Sequence, residues 1–412
     1  MNLFDIIAIL ISLAALFSYL NFCYLRLPTT IGVMIISLVI SILLILLSYT
    51  GFNLTRQAEI ILSQIDFDET LMQGMLSYLL FAGALHVNLD DLARQRWFIG
   101  ILATLGTILS TFIIGSLVWI LFIWLNIQLP YIYCLLFGAL ISPTDPIAVL
   151  AILRTAGAPK SLEIKITGES LFNDGVGVVV FILIAGIAIN GQDVTPDAVI
   201  ILFIKEAVGG IVFGLLAGYI IYRMLSRVDN YHVEILLTLA MVTGGYALAS
   251  AIHVSGPIAI VIAGLMIGNH GRLFAMSDLT REHLDTFWEL VDEILNAILF
   301  VLIGLEVLVI RININLFTAG IITVFIVLLG RFISVSLPVS IMRRYREFSS
   351  HAIKILTWGG LRGGISVALA LSLPPSEEKE IILTITYFVV VFSIIFQGLT
   401  IGNLIKYSIK SR

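Results

Sequence analysis

Residues 131–154 read YIYCLLFGALISPTDPIAVLAILR, and the two prolines in that run, Pro143 and Pro146, decide how the chain is to be read. The run is almost wholly apolar, and it is long enough to cross about 30 Å of hydrocarbon, for which about 20 residues suffice. Proline lacks an amide donor and clashes with the preceding turn, so a helix through this run breaks around Thr144 and Asp145. A break at membrane depth is tolerated only where a cavity or neighbouring protein satisfies the freed backbone groups. Those carbonyls and the Thr144 hydroxyl are oxygen ligands of the kind a dehydrated small cation needs. Asp145 lies nine residues from Arg154, hence about 14 Å in from that end.

The rest of the chain fits this reading. Its 412 residues are 59% apolar and 12% charged, with a mean hydropathy of +1.07. A soluble chain would carry roughly twice that charge fraction. Thirteen apolar stretches are long enough to span or nearly so: 3–22, 28–48, 68–87, 97–125, 130–153, 163–189, 199–222, 232–252, 255–269, 285–310, 314–342, 350–373 and 381–405. None shows the alternating pattern of a transmembrane β-strand. The fold class expected is all-α and polytopic, with about 13 transmembrane helices. The first stretch has no basic leader and no small-residue cleavage site, so it reads as a retained helix. Cys23 and Cys134 lack CxxC spacing and read as small packing residues.

Basic residues set the orientation. With the N-terminus outside, Arg56, Lys205, Arg311 and Lys379 fall outside, whereas Arg94, Lys160, Lys165, Arg223, Arg272, Arg343 and ten further Lys and Arg fall inside. The expectation is a multi-pass protein of the cell inner (plasma) membrane with a cytoplasmic C-terminus.

An ionisable group inside a span costs at least about 2.5 kcal/mol, so it faces protein or a water path. The sixth stretch contains GESLFNDG at 168–175. Asp174 is nine residues from Lys165, again about 14 Å in, so Asp145 and Asp174 are expected at one depth. Asp174 is placed to hold a cation when ionised and to cross without one when protonated, which couples cation to proton. Ser170, four residues earlier, adds a hydroxyl beside it, and Asn173 adds a neutral oxygen that carries no second proton. Arg331, in LLGRF, and Arg362, in GGLRGG, lie in the middle third of their stretches, and each is expected to need an anion. Glu169 is the candidate for one of them, since pairing offsets two desolvation penalties. The glycines around Arg362 make the twelfth stretch a second broken helix facing the fifth.

Asp145 and Asp174 at equal depth are also what an intramembrane aspartyl enzyme would show, but no nucleophile–base pair or metal set accompanies them. His253 and Ser255 have no third group to orient them. His86 reads as an interface residue near the inner surface. No enzyme activity and no cofactor are expected. The broken fifth helix and charged sixth are echoed seven segments later by the twelfth and thirteenth, and an offset of seven inverts the second copy. The layout is one membrane domain over 1–412, with a first repeat at 1–190, a linking helix at 199–222 and an inverted second repeat at 232–405.

Six motifs then act together: TDPIAV at 144–149, GESLFNDGVGVVVF at 168–181, VSGPIAIVIAGLMIGN at 254–269, VLIGLEV at 301–307, LLGRF at 328–332 and GGLRGGISVALAL at 359–371. With them the chain resembles the NhaP-type branch of the monovalent cation:proton antiporters, prokaryotic relatives of the sodium/hydrogen exchangers. The resemblance implies an inverted-repeat antiporter fold with broken crossing helices, a homodimer in membrane lipid, and one-for-one exchange of Na+ for H+ by alternating access. K+ or Li+ in place of Na+ is the alternative, and nucleic acid is not an expected partner. It further implies that Asn173 and Asp174 are the ion-binding pair, with Thr144, Asp145 and Ser170 around the site. Glu169 with Arg331 is implied as a structural ion pair, and Arg362 is left as a second core charge without a named partner. Some relatives carry a glutamate where this chain has Ala82.

Overall fold

A computed structural model describes residues 3–48, 74–146, 149–150, 153, 158–190, 196–272, 275–308, 310, 314–343 and 351–410. The outer segment 49–67 and the side chains of Arg56, Arg154, Arg311, Arg344, Arg346, Lys410 and Arg412, used above for orientation, lie outside the described residues. Nearly everything described is helical. Helices α1 (Leu3–Leu20) and α2 (Thr29–Ser48) are followed by the short α3 (Leu76–Leu85) and the long α4 (Arg96–Trp124). Then come α5 (Tyr131–Ile141), α6 (Lys160–Asn190), α7 (Pro196–Leu225), α8 (Tyr231–Ala251) and α9 (Gly256–Gly271). The last are α10 (Asp278–Leu305), α11 (Ile314–Met342), α12 (Ala352–Trp358), α13 (Gly364–Leu371) and α14 (Glu377–Ser408). Among the described residues eight helices are long and apolar enough to cross a membrane alone. Each of the thirteen stretches contains helix, so the polytopic all-α reading holds.

The helices pack as two groups. In one, α10 lies against α1, α2, α3 and α8, and α9 lies against α3, α7 and α8. In the other, α5 sits between α4 and α6, and α11 joins α4 to α12 and α14, with α13 against α14. The groups meet where α6 touches α7 and α9 and where α10 touches α13. The outer faces of α1, α2 and α7 carry exposed Phe4, Leu43, Leu46, Ile201 and Leu216. Such faces suit lipid or another apolar surface and no aqueous one.

Among the described residues two helices are discontinuous, for the reasons the prolines and glycines supply. α5 ends at Ile141, ahead of Pro143, and α12 ends at Trp358, ahead of the run Gly359–Gly364. The extended stretches between the half-helices cross and form one antiparallel bridge between Asp145 and Leu361, with the Asp145 N–H donating to the Leu361 carbonyl at 2.8 Å. This crossing places the site.

Candidate functional site at the crossing of two broken helices

Breaking a helix frees backbone carbonyls, and each carbonyl buried here needs a donor. Three long side chains supply them. Arg362 Nη1 donates to the carbonyl of Ser142 and, at 2.8 Å, to that of Pro143. Arg331 Nη2 donates to the Leu356 carbonyl at 3.2 Å, and Gln397 Nε2 to the Trp358 carbonyl at 3.0 Å. The Arg362 N–H is taken by Ser393 Oγ at 2.8 Å. Ser393 and Gln397 bound a π-bulge in α14, a local widening that aims both side chains at the second break.

These bonds correct two expectations. Among the described residues Arg362 makes no hydrogen bond to a carboxylate. Its partners are two carbonyls at the C-terminal end of α5, where the helix dipole presents partial negative charge. The carbonyls of Ser142 and Pro143, expected as cation ligands, each already accept a bond from this buried guanidinium.

Arg331 Nη1 pairs with Glu169 Oε1 at 2.5 Å, and both residues are buried. The guanidinium fits because residue 360 is glycine: a Cβ there would come 3.1 Å from Arg331 Cζ. The pair ties α6 to α11, on the side of α6 away from Asp174.

The other ion-site candidates meet at the first break. Asn173 Nδ2 donates to Thr144 Oγ1 at 2.9 Å, and the Thr144 N–H donates to Asn173 Oδ1 at 3.2 Å. Thr144 Oγ1 also bonds Ser170 Oγ at 3.0 Å. Thus Thr144, Ser170 and Asn173 form one closed polar knot, and Asn173 serves first as the clamp that holds the broken strand to α6. Its oxygen was expected to face a cation; here it faces the Thr144 amide.

Asp174 and Asp145 remain. Asp174 is 6% exposed, and its Oδ1 is buried without a hydrogen-bond partner. Asp145 lies against Gly363, where a Cβ would come 2.7 Å from the carboxyl carbon, so only glycine admits that approach. Gly363 precedes α13, whose N-terminal partial positive charge therefore faces Asp145.

A cavity of about 760 Å³ reaches both carboxylates. It runs from Lys160 and Glu289, which are exposed, past His86, Asp292 and Asn296, to Thr144, Asp145 and Asp174. Ala82 lines it too. A buried carboxylate oxygen without a donor, at the end of an open path, is a place for a proton or a small cation.

The chain matches the family described as sodium/hydrogen exchanger, transmembrane, over residues 10–407. It belongs to that family. The Na(+)/H(+) antiporter NhaP of Pseudomonas aeruginosa is 52% identical over 407 residues, which covers 98% of this chain and 96% of that one. The Na(+)/H(+) antiporter NhaH of Halobacillus dabanensis is 35% identical, over 92% and 91% of the two chains. Among solved structures, the sodium proton antiporter MjNhaP1 from Methanocaldococcus jannaschii superposes with a TM-score of 0.78 at 22% identity, over 98% of this chain and 99% of that one. That likeness carries the fold of the exchanger family over to this chain.

The sequence reading missed part of what surrounds the site in this exchanger-family chain. Asp292 and Asn296 on α10 face the cavity, whereas the reading treated 285–310 as a plain span. The signal was present: Asp285, Glu289, Asp292 and Asn296 recur every three or four residues and carry one polar stripe from the polar first half of α10 into its apolar second half. His86 lines the cavity as well, with Nδ1 2.8 Å from the Ala82 carbonyl and Nε2 3.9 Å from Asp285 Oδ1.

Proposed function

We propose that this chain is a secondary antiporter that exchanges Na+ for H+, one for one, through alternating occupation of Asp174. The observation that carries the reading is the buried Asp174 oxygen without a donor at the end of the cavity. The name of the Pseudomonas relative at 52% identity supports Na+ and H+ as the exchanged pair.

The site's chemistry explains the coupling. Asp174 can be neutralised by a proton or by a cation, and either one lowers the cost of carrying it through a low-dielectric barrier. Both together are excluded because they compete for one carboxylate. Asn173 carries no proton, and Asp145 is held beside the α13 N-terminus, so one ion is traded for one proton and no net charge moves. No cofactor takes part; Na+ and H+ are cargo. Thr144, Ser170, Asn173 and Asp145 shape the site. Glu169, Arg331 and Arg362 hold the broken helices.

The cavity opens at the end bearing Asp91, Lys160 and Glu163, which the basic residues assign to the cytoplasm, with the N-terminus outside. The inward-facing form is then the one described, in a plasma membrane. Alternating access moves the group that carries the site against the other group. The exposed apolar faces of α1, α2 and α7 suit lipid and a second copy in a homodimer, and the two breaks suit inverted repeats at 1–190 and 232–405 joined by 199–222.

Reconstituted vesicles with an imposed pH gradient test the reading. Addition of Na+ dissipates the gradient without generating a membrane potential. Equal or greater dissipation by K+ would reassign the cation, and a sustained current would remove the one-for-one exchange.

A further inference from the structure

Asp292 and Asn296 stand on the cavity wall that faces the broken helices, and no step described above uses them. They lie one turn apart on α10, in the helix group that does not carry Asp174. With Glu289 and Leu299 they form one stripe, since residues three or four apart share a helix face. The depth of the stripe is fixed by contact. Leu299 presses on residue 364, where an added Cβ would come 2.7 Å from Leu299 Cγ. Gly364 is next to Gly363, which touches Asp145. Asn296 is therefore about 4.5 Å, and Asp292 about 10 Å, from that level along the helix, toward the cavity mouth.

Two independent features point to a ligand there. Asn296 is 2% exposed and lines the cavity, its amide pairs with the Asp292 carboxylate one turn away, and its amide oxygen is buried without a donor. An amide in that state is unfavourable unless a ligand or its hydration shell meets it. Asp292 is half-buried on the same wall, with its carboxylate facing the cavity that reaches Asp145. The Asp292 carboxylate and the Asn296 amide oxygen, with the exposed Glu289 and Glu293 on the same lining and room before the opposite wall, match a monovalent cation that keeps part of its water shell.

We propose that Asp292 and Asn296 form a second, outlying station, which holds a partly hydrated monovalent cation before it passes to Asp174. This rests on the antiport reading above. The station sits on the opposing helix group, so it stays in place while Asp174 changes sides, and it keeps the cation concentrated at the inner mouth.

Two measurements test it. In vesicles at one pH, Asp292→Asn raises the Na+ concentration for half-maximal exchange by about threefold to tenfold, the range for one charge lost near a partly screened site, with the maximal rate within twofold. Asn296→Leu shifts it in the same direction, and Asp292→Glu, which keeps the charge, restores the wild-type value. Second, radioactive Na+ binding to detergent-purified protein separates the two sites. Asp174→Asn abolishes exchange but keeps weak Na+ binding, which the double variant Asp174→Asn with Asp292→Asn loses. If Asp174→Asn still exchanges, the antiport reading of Asp174 fails. If Asp174→Asn is inactive while Asp292→Asn leaves both half-saturation and residual binding unchanged, the station is wrong and the antiport reading stands. Should Asp292→Asn not fold, Asn296→Leu and Asp292→Glu decide on the same readouts.

Discussion

Asn173 and Thr144 hold each other by two hydrogen bonds, side-chain amide to hydroxyl at 2.9 Å and backbone N–H to side-chain oxygen at 3.2 Å. This reciprocal grip fixes the broken strand of the fifth stretch to α6 one residue away from Asp174. Site geometry and helix packing are therefore the same contact. Asn173→Ala removes both bonds and leaves Thr144 buried without them, a loss of about 2 kcal/mol at roughly 1 kcal/mol per bond. Thermal unfolding in detergent should fall, and exchange in vesicles should drop at least about tenfold through the displaced site. An unchanged exchange rate would show that the grip is dispensable.

The Glu169–Arg331 pair is buried and bonded at 2.5 Å. Removing one partner strands a buried charge, which costs on the order of 3–5 kcal/mol. Glu169→Gln and Arg331→Gln should each strongly lower the unfolding midpoint, and the double variant should lose less than the sum. Additive losses in that cycle would mean that the pair contributes no coupling.

Arg362 reaches two carbonyls at the end of α5. An ammonium is a point donor and lacks the planar fork of a guanidinium. Arg362→Lys should keep the charge yet lose most exchange, with a smaller fall in unfolding temperature than Arg362→Ala. If Arg362→Lys matches the wild type, charge alone suffices there.

Gly363→Ala would put a Cβ 2.7 Å from the Asp145 carboxyl carbon, so Asp145 or the strand must move. Exchange should fall at least about tenfold. Gly244, on α8, has nothing within 4 Å of its would-be Cβ, and Gly244→Ala is expected to exchange at the wild-type rate. Equal rates for the two variants would remove the close approach from the account.

The break at Pro143–Pro146 was legible because proline acts on its own backbone, whatever surrounds it. The second break was legible from the glycine run at 359–364, and the polytopic class from composition. The partner of Arg362 was not legible, because it is a pair of backbone carbonyls freed by a break 219 and 220 residues earlier in the chain. A carbonyl acceptor has no side-chain identity, so searching for an anion led elsewhere. Asn173 was read as a ligand because an amide beside a carboxylate suggests one. Its actual bonds depend on where the broken strand lies, which only packing fixes. The Asp292–Asn296 stripe was written in the sequence at helical spacing but was passed over, since polar residues near a helix end read as solvated until a facing wall is known.

Competition between proton and cation at Asp174 is the central claim, and proton release on cation binding measures it most directly. Purified protein in weak buffer, titrated with Na+, should release about one H+ per Na+ bound to that carboxylate. Release should shrink as pH rises and Asp174 is already deprotonated, while at low pH the Na+ needed for half-release should climb by up to about tenfold per pH unit. Asp174→Asn should release none. Wild-type protein that releases no more H+ than Asp174→Asn over the same Na+ titration would contradict the account.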